Sequence, residues 1–234
     1  MKRSIIIRDN LERVRERISE AAHKAGRSES EITIVGVTKT FGPEVVTAAV
    51  EAGIEDIGEN RIQEFLAKST EVGVPCRWHL VGHLQTNKVN KAVGRFELIH
   101  SVDSLKLAEK LSVVGMERGV ATKILLEVNT SGETSKYGFA PEEIVEVSDQ
   151  IILKRGLTLK GLMTVGPWVA DTAVVAKAFE TLRRCKEEIE NKSTDYNSIQ
   201  HLSMGMTDDF EIAIAEGSTM VRLGRVLFGE RGVG

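Results

Sequence analysis

Ile32-Thr33-Ile34-Val35-Gly36-Val37-Thr38-Lys39 is a short run, β-branched and apolar nearly throughout, that stops at a lysine. A strand with one wet face alternates apolar and polar residues, whereas one covered on both faces does not. The run therefore predicts a buried strand of a parallel sheet. Further runs of the same kind are Asp56–Asn60, Arg77–Gly82, Leu98–Val102, Lys123–Asn129, Leu157–Val165, Ser198–Gly205 and Thr219–Phe228, making eight in all. Between them lie segments with helical periodicity: Glu44–Ala52, Arg61–Val72, Ser104–Arg118, Glu142–Leu153 and Thr172–Asn191. A first helix is expected to start near Asp9. Asp9 with Glu12 fits a capping box, and Leu11, Val14 and Ile18 then form one apolar stripe. Pro141 followed by Glu142 and Glu143 is a second good start, with a proline that has no N–H to orphan and acids at the positive end of the helix dipole.

Strict alternation of strand and helix implies parallel strands joined by right-handed crossovers. Eight such units in 234 residues predict an α/β fold that closes as a single (β/α)8 TIM barrel, one domain spanning 1–234. The length suits one sizeable core, and only 4 prolines and no shift in composition argue against a linker. Net charge is −3, which gives no electrostatic case for nucleic acid or an anionic membrane. The two cysteines, Cys76 and Cys185, stand far apart and outside any Cys/His cluster, so no zinc site and no disulfide framework is expected. Reducing, cytoplasmic surroundings are the simpler expectation. The start of the chain has only three apolar residues, Ile5-Ile6-Ile7, before the next charge, too few for a signal peptide, and no stretch has the length of a membrane-spanning helix.

In a parallel barrel the strand C-termini build the active face. Lys39 ends the first strand there. It reads either as an amine made nucleophilic by desolvation and a nearby cation, or as a lysine that caps the strand and reaches water. After the seventh strand comes His201-Leu202-Ser203-Met204-Gly205-Met206-Thr207-Asp208-Asp209, with hydroxyls at Ser203 and Thr207 and a glycine at 205 that lets backbone approach a ligand. The helix that follows offers free N–H groups to an anion, and the eighth strand adds Gly224 near the same end, where barrels often bind phosphate. The same residues also suit helix capping. Arg222 lies in the apolar run Met220-Val221-Arg222-Leu223 and needs a buried acceptor, either a carboxylate or a pyridine nitrogen. Asn60 follows the second strand and either donates to a ligand or caps. His79 and His83 flank the end of the third strand and are read first as structural histidines. Met163 reads as barrel filling or a soft wall against a ring, and Lys136 as a loop lysine.

These stretches match a known family. Val37-Thr38-Lys39-Thr40, Gly58-Glu59-Asn60 with Gln63-Glu64, and Trp78-His79 with Gly82-His83-Leu84-Gln85-Thr86-Asn87-Lys88 are part of the pattern. So are Ser135-Lys136 with Gly138, Gly161-Leu162-Met163, Leu202-Ser203-Met204-Gly205-Met206 with Asp208-Asp209, and Gly217-Ser218-Thr219-Met220-Val221-Arg222-Leu223-Gly224 with Phe228-Gly229. In order across nearly the whole chain they resemble the pyridoxal 5′-phosphate (PLP) homeostasis proteins, also called PLP-binding or proline-synthase co-transcribed-like proteins. The resemblance implies a fold-type III PLP barrel like the N-terminal domain of alanine racemase. It implies PLP held covalently, as a Schiff base, on Lys39, with Arg222 facing the pyridine nitrogen. Ser203, Gly205, Met206, Thr207 and Gly224 would cradle the phosphate, and Asn60 and Met163 would line the ring. No position departs from the pattern; Thr207, where serine is also usual, keeps the hydroxyl.

An arginine on the pyridine nitrogen cannot accept its proton, so the ring is a weaker electron sink than one paired with aspartate. Transamination is disfavoured and racemisation remains. Racemisation needs a second acid–base group opposite the lysine. In the racemases this is a tyrosine from a separate β-domain, supplied across a dimer. This chain has only Tyr137 and Tyr196, neither in a matching context. The expectation is a monomeric PLP-binding protein of vitamin B6 and amino-acid balance, without established catalysis, whose partners would be PLP and PLP-dependent apo-enzymes. The alternatives are a PLP-dependent amino-acid racemase or lyase with Lys136 or His83 as partner base, and a cofactor-free aldolase-like barrel acting through Lys39.

Overall fold

The computed structural model describes residues 2–133, 136–192 and 199–229. Its eight strands are β1 (Thr33–Val37), β2 (Asp56–Glu59), β3 (Arg77–Leu80), β4 (Leu98–Val102), β5 (Thr122–Glu127), β6 (Leu157–Met163), β7 (His201–Ser203) and β8 (Met220–Leu223). Each pairs in parallel with the next, and β8 returns to β1 to close a barrel. The expected fold class holds: the strands are largely buried on both faces, and closure of β8 onto β1 leaves no free edge. Around the barrel run α1 (Lys2–Lys24), α2 (Pro43–Glu51), α3 (Ile62–Lys68), α4 (Val89–Ala92), α5 (Leu105–Arg118), α6 (Ile144–Ile152), α7 (Thr172–Lys192), α8 (Phe210–Ala215) and α9 (Arg225–Phe228). None of these helices is long and apolar enough to cross a membrane.

The boundaries differ from expectation in informative ways. The first helix begins at Lys2 rather than Asp9, because its buried stripe reaches back through Leu11 to Ile7, which is 2% exposed. Asp9 is therefore an interior residue of α1 and caps nothing. The last strand ends at Leu223, not Phe228: Gly224 turns the chain, and Arg225–Phe228 is helical with Phe228 edge-on to Phe41 at 5.9 Å. β6 and β7 likewise stop short, at Met163 and Ser203, and Gly205 breaks β7's continuation at φ 94°. Ser198, Ser135 and Tyr196 lie outside the described residues. The proline start at Pro141 is real, but it opens a 3-10 turn (Pro141–Glu143) ahead of α6. On the active-face side, then, residues expected in strands leave the ladder to line the mouth.

Two apolar shells lie between barrel and helices. One joins α1, α2, α8 and α9 to β1, β2 and β8 through Leu11, Val14, Ile57, Phe210 and Val221. The other covers the far side through Leu111, Ile124, Leu162, Phe179 and Leu182. Each fully buried aliphatic or aromatic side chain contributes roughly 1.5–3 kcal/mol, so these shells dominate stability. Inside the barrel a third, small cluster contains only Leu98, Leu125, Met163 and Met220. Much of the remaining interior is polar: Asp56, His79, His100, Ser203 and Arg222 are all buried there.

Candidate functional site

Lys39 is the second residue after β1 and is half-buried in a turn. That turn is over-determined. The Thr38 carbonyl accepts from Lys68 Nζ at 2.7 Å, the Thr38 hydroxyl donates to Glu59 Oε1 at 2.6 Å, and the Thr40 N–H donates to Glu64 Oε2 at 2.8 Å. Lys68 Nζ also lies 2.6 Å from Glu59 Oε1, an ion pair buried behind the site. Burial pushes the Glu59 carboxyl up, against the opposing pull of Lys68 and Thr38. Thr40 has φ 69°, the only positive φ at a non-glycine among the described residues. A β-branched residue in that region is strained. The strain sits beside the one lysine that the sequence singled out, held by anchors on β2 and α3.

Across the mouth, β7 and β8 supply a polar cradle. Gly205 must be glycine: an added Cβ would lie 2.6 Å from Ala213 Cβ at φ 94°. Gly224 is different, because a Cβ there would meet only Val37 O at an ordinary 3.5 Å, so the space above it is open. Asp209 caps the Met206 N–H at 2.5 Å, and Asp208 pairs with Arg225 instead of capping. Among the described residues, the N–H groups of Thr207, Gly224 and Arg225, the Thr207 hydroxyl and the Asn60 amide have no protein acceptor or donor. Such groups are satisfied by water or by an anion with several oxygens.

Arg222 is 5% exposed. Neither acceptor weighed from the sequence is what the protein itself supplies. Nη1 donates to the carbonyl and the hydroxyl of Ser203, both at 2.7 Å, and Nη2 donates to Thr164 O at 2.8 Å. No carboxylate forms an ion pair with it among the described residues, and burial brings its pKa down to about 10. A guanidinium has more N–H groups than these bonds use, so donors remain for a further acceptor at the mouth. The Ser203 hydroxyl is fully buried and bridges Arg222 to His100 Nδ1 at 2.9 Å. It lies behind Arg222, hydrogen-bonded within the protein. Met163 is 1% exposed on the inner wall, whereas Met206 is 38% exposed at the rim.

Sequence reasoning missed Glu127. It is the last residue of β5, so the rule that singled out Lys39, a charged residue closing a buried run, would have found it. It is 9% exposed, and its carboxyl has no hydrogen-bond partner among the described residues. Burial, with help from Asp103, raises its pKa to about 7, while Arg222 opposes the shift. His83 Nδ1 lies 2.8 Å from Asp103 Oδ2 and its ring stacks on Tyr137 at 4.1 Å. Lys136 is paired with Glu133 at 2.9 Å and also reaches Gly166 O. His79 is not at the mouth; it is buried in the barrel interior. Among the described residues no His/Cys/Asp/Glu group is arranged to hold a metal ion.

Residues 9–232 match the family described as alanine racemase, N-terminal domain. The chain is 40% identical over 225 residues to a pyridoxal phosphate homeostasis protein of Aquifex aeolicus, covering 95% of this chain and 97% of that one. Among solved structures, PipY of Synechococcus elongatus with PLP bound is 33% identical, with a TM-score of 0.80 over 91% of this chain and 100% of that one. Alanine racemase of Clostridium difficile shares the fold at 18% identity and a TM-score of 0.76, over 97% of this chain and 57% of the racemase. With a closed barrel, a lysine after β1 and an arginine on β8 already in place, the chain belongs to the pyridoxal phosphate homeostasis proteins, a family built on the barrel of the alanine racemase N-terminal domain.

Proposed function

We propose that this chain binds PLP at the C-terminal mouth of the barrel, covalently through Lys39, and serves intracellular PLP homeostasis and amino-acid balance as a carrier. The carrying observation is the convergence of three complementary features on one mouth. Lys39 supplies an amine on a strained, braced turn. Arg222 supplies cationic donors with no ion-paired carboxylate among the described residues. Thr207, Gly224 and Arg225 supply N–H groups with no partner among the described residues, beside the space over Gly224. PLP fits each in turn, with an aldehyde, a ring nitrogen and a phosphate. Asn60 and Met163 flank the ring position, and the PLP bound by PipY at 33% identity supports the same reading.

When bound, PLP would supply an aldehyde carbon and an electron-withdrawing ring. The residues limit what that ring can do. Arg222 donates only, so it keeps the facing nitrogen unprotonated. Ser203, His100 and the Thr164 carbonyl hold the guanidinium in place. Glu59 and Lys68 fix the peptide ahead of Lys39. A carrier needs these holding functions and nothing more, and its recipients would be PLP-dependent apo-enzymes. One observation favours a second reading, a PLP-dependent racemase or lyase: the Glu127 carboxyl, near 7, is able to hold or release a proton at neutral pH.

The test is to record the visible spectrum of the purified protein, reduce it with borohydride and map the phosphopyridoxyl peptide by mass. Label on Lys39 is expected. A protein that stays colourless and unlabelled with excess PLP would overturn the reading. Amino-acid racemisation or turnover that disappears in Glu127→Gln would move the enzyme reading ahead of the carrier.

A further inference from the structure

A continuous file of hydrogen bonds crosses the barrel interior behind Arg222. Arg222 Nη1 lies 2.7 Å from Ser203 Oγ, Ser203 Oγ lies 2.9 Å from His100 Nδ1, and His100 Nε2 lies 3.0 Å from His79 Nδ1. His79 Nε2 lies 2.9 Å from Asp56 Oδ1. Asp56 is held from the far side by Arg77, through Nε at 2.8 Å and Nη2 at 2.7 Å. The members come from β8, β7, β4, β3 and β2. The file begins at the mouth with Lys39 and ends at the opposite one, where Asp56, Arg77 and His79 help line a cavity of about 310 Å³.

With both imidazoles neutral, the two ends determine the direction of every bond between them. Arg222 can only donate, so Ser203 Oγ must accept from it. Burial alone would raise the Asp56 carboxyl, but hydrogen bonds from Arg77 and His79 bring it down to about 2, so Asp56 can only accept. A neutral His79 then carries its proton on Nε2 and accepts at Nδ1. His100 must donate from Nε2 and accept at Nδ1, which draws the Ser203 proton toward His100. Burial and the neighbouring Arg222 cation favour the neutral form of His100. Every donor and acceptor in the file is matched when both rings are neutral. With the opposite His100 tautomer, Ser203 Oγ would face two donors and its own proton would compete with the Arg222 contact.

We propose that His100, His79 and Asp56 are positioning residues: their file of fixed tautomers orients the Ser203 hydroxyl as an acceptor and thereby sets the direction in which Arg222 presents its remaining N–H groups to the ligand. The proposal rests on the PLP reading for the identity of that ligand, but the file itself is a property of the protein.

The experiment has two arms. Nitrogen-15 histidine spectra of the whole protein, recorded without cofactor at neutral pH, should show His79 and His100 both neutral with the proton on Nε2. A cationic ring, or a proton on His100 Nδ1, overturns the proposal whatever the cofactor does. The second arm compares His100→Phe, which removes both ring nitrogens, with His100→Gln, which keeps a donor and an acceptor. Both are loaded with PLP after their fold is checked by circular dichroism. Borohydride should still label Lys39 in both. His100→Phe should show a displaced cofactor absorption band and PLP binding weaker on the order of tenfold, as for groups that orient a ligating side chain. His100→Gln should restore much of both. A folded His100→Phe with the wild-type spectrum and affinity overturns the proposal and leaves the file as barrel filling. If His100→Phe does not fold, the tautomer spectra together with His100→Gln decide. Failure of wild-type Lys39 to take label removes the PLP reading and not the file.

Discussion

Replacing Lys68 with methionine tests how the Lys39 turn is held. The side chain keeps most of its length, stays unbranched and loses its charge. The Lys68 side chain is 7% exposed and that of Glu59 is 0%. Removing the ammonium leaves Glu59 with the Thr38 hydroxyl as its remaining donor, since its Oε2 has no partner among the described residues. The Thr38 carbonyl loses its 2.7 Å bond at the same time. Stranding one partner of a buried pair costs about 3–5 kcal/mol. In a chain of this size 1 kcal/mol moves Tm by roughly 2–4 °C, so the midpoint should fall on the order of 10 °C. The sign with pH follows from the Glu59 carboxyl, whose folded pKa lies above its unfolded value because of burial. The associated stability is fully present below the unfolded pKa and is lost as pH rises through the folded one. Losing Lys68 raises the folded value further, so the deficit should be largest at neutral and alkaline pH and should shrink in acid. Urea unfolding of the wild type, Lys68→Met and Lys68→Met/Glu59→Gln measures this. The double variant should return most of the loss, because it leaves no buried charge. A single-variant loss below about 1 kcal/mol, the range of an exposed pair, would refute the role given to the pair.

Other expectations follow from neighbouring residues. Thr40→Gly should stabilise the protein by on the order of 1 kcal/mol in chemical denaturation, because glycine adopts φ 69° without strain. Any weakening of PLP retention in that variant would measure how far the strain serves to aim Lys39. Gly224→Ala should leave the unfolding midpoint nearly unchanged and weaken PLP binding, since its methyl meets only Val37 O at 3.5 Å within the protein. Gly205→Ala should instead lower the midpoint, with Ala213 Cβ at 2.6 Å from the new methyl. Equal thermal losses in the two would contradict the open space over Gly224. For Glu127, burial raises the pKa from 4.5 to about 7. Stability linked to it is therefore complete below its unfolded pKa and lost as pH rises through about 7. Unfolding curves of Glu127→Gln should be flatter than wild type over that window, and an unchanged slope would place the titration elsewhere.

What the sequence made legible was what period and residue type encode locally. Ile32–Val37 and the other apolar runs admit little besides buried parallel strands, and eight of them in one domain close a barrel. Lys39 and Arg222 stood out because a charge in such a run has to be explained. The same argument applied to His100 in Leu98-Ile99-His100-Ser101-Val102 and to Glu127 at the end of β5, and it was not used there. The start of α1 was misread because a capping-box pattern at Asp9 and Glu12 carries less weight than an apolar stripe continuing to Ile7. The end of β8 was misread because Val226, Leu227 and Phe228 are as apolar as a strand, while the turn at Gly224 depends on what packs against them. The file from Arg222 to Asp56 was not legible at all. It joins residues as far as 103 positions apart, and only the closure of the sheet brings them into contact.

That file also answers a question raised by the sequence alone, which acceptor a buried Arg222 would find. A carboxylate beside it would have been the simplest partner, and it would have neutralised the cation where a ligand must meet it. The protein uses carbonyls of Ser203 and Thr164 and one hydroxyl, none of which carries charge, and sets an ionised Asp56 at the other end of four hydrogen bonds. Apolar side chains would fill the same space at lower cost, since fully satisfied buried polar groups often do no better than hydrophobic replacements. A barrel selected for stability alone would extend the cluster of Leu98, Leu125, Met163 and Met220 through these positions. Keeping the polar file preserves a guanidinium that is fixed in direction, ion-paired to no carboxylate among the described residues and still supplied with donors, which is what recognition of an unprotonated ring nitrogen requires.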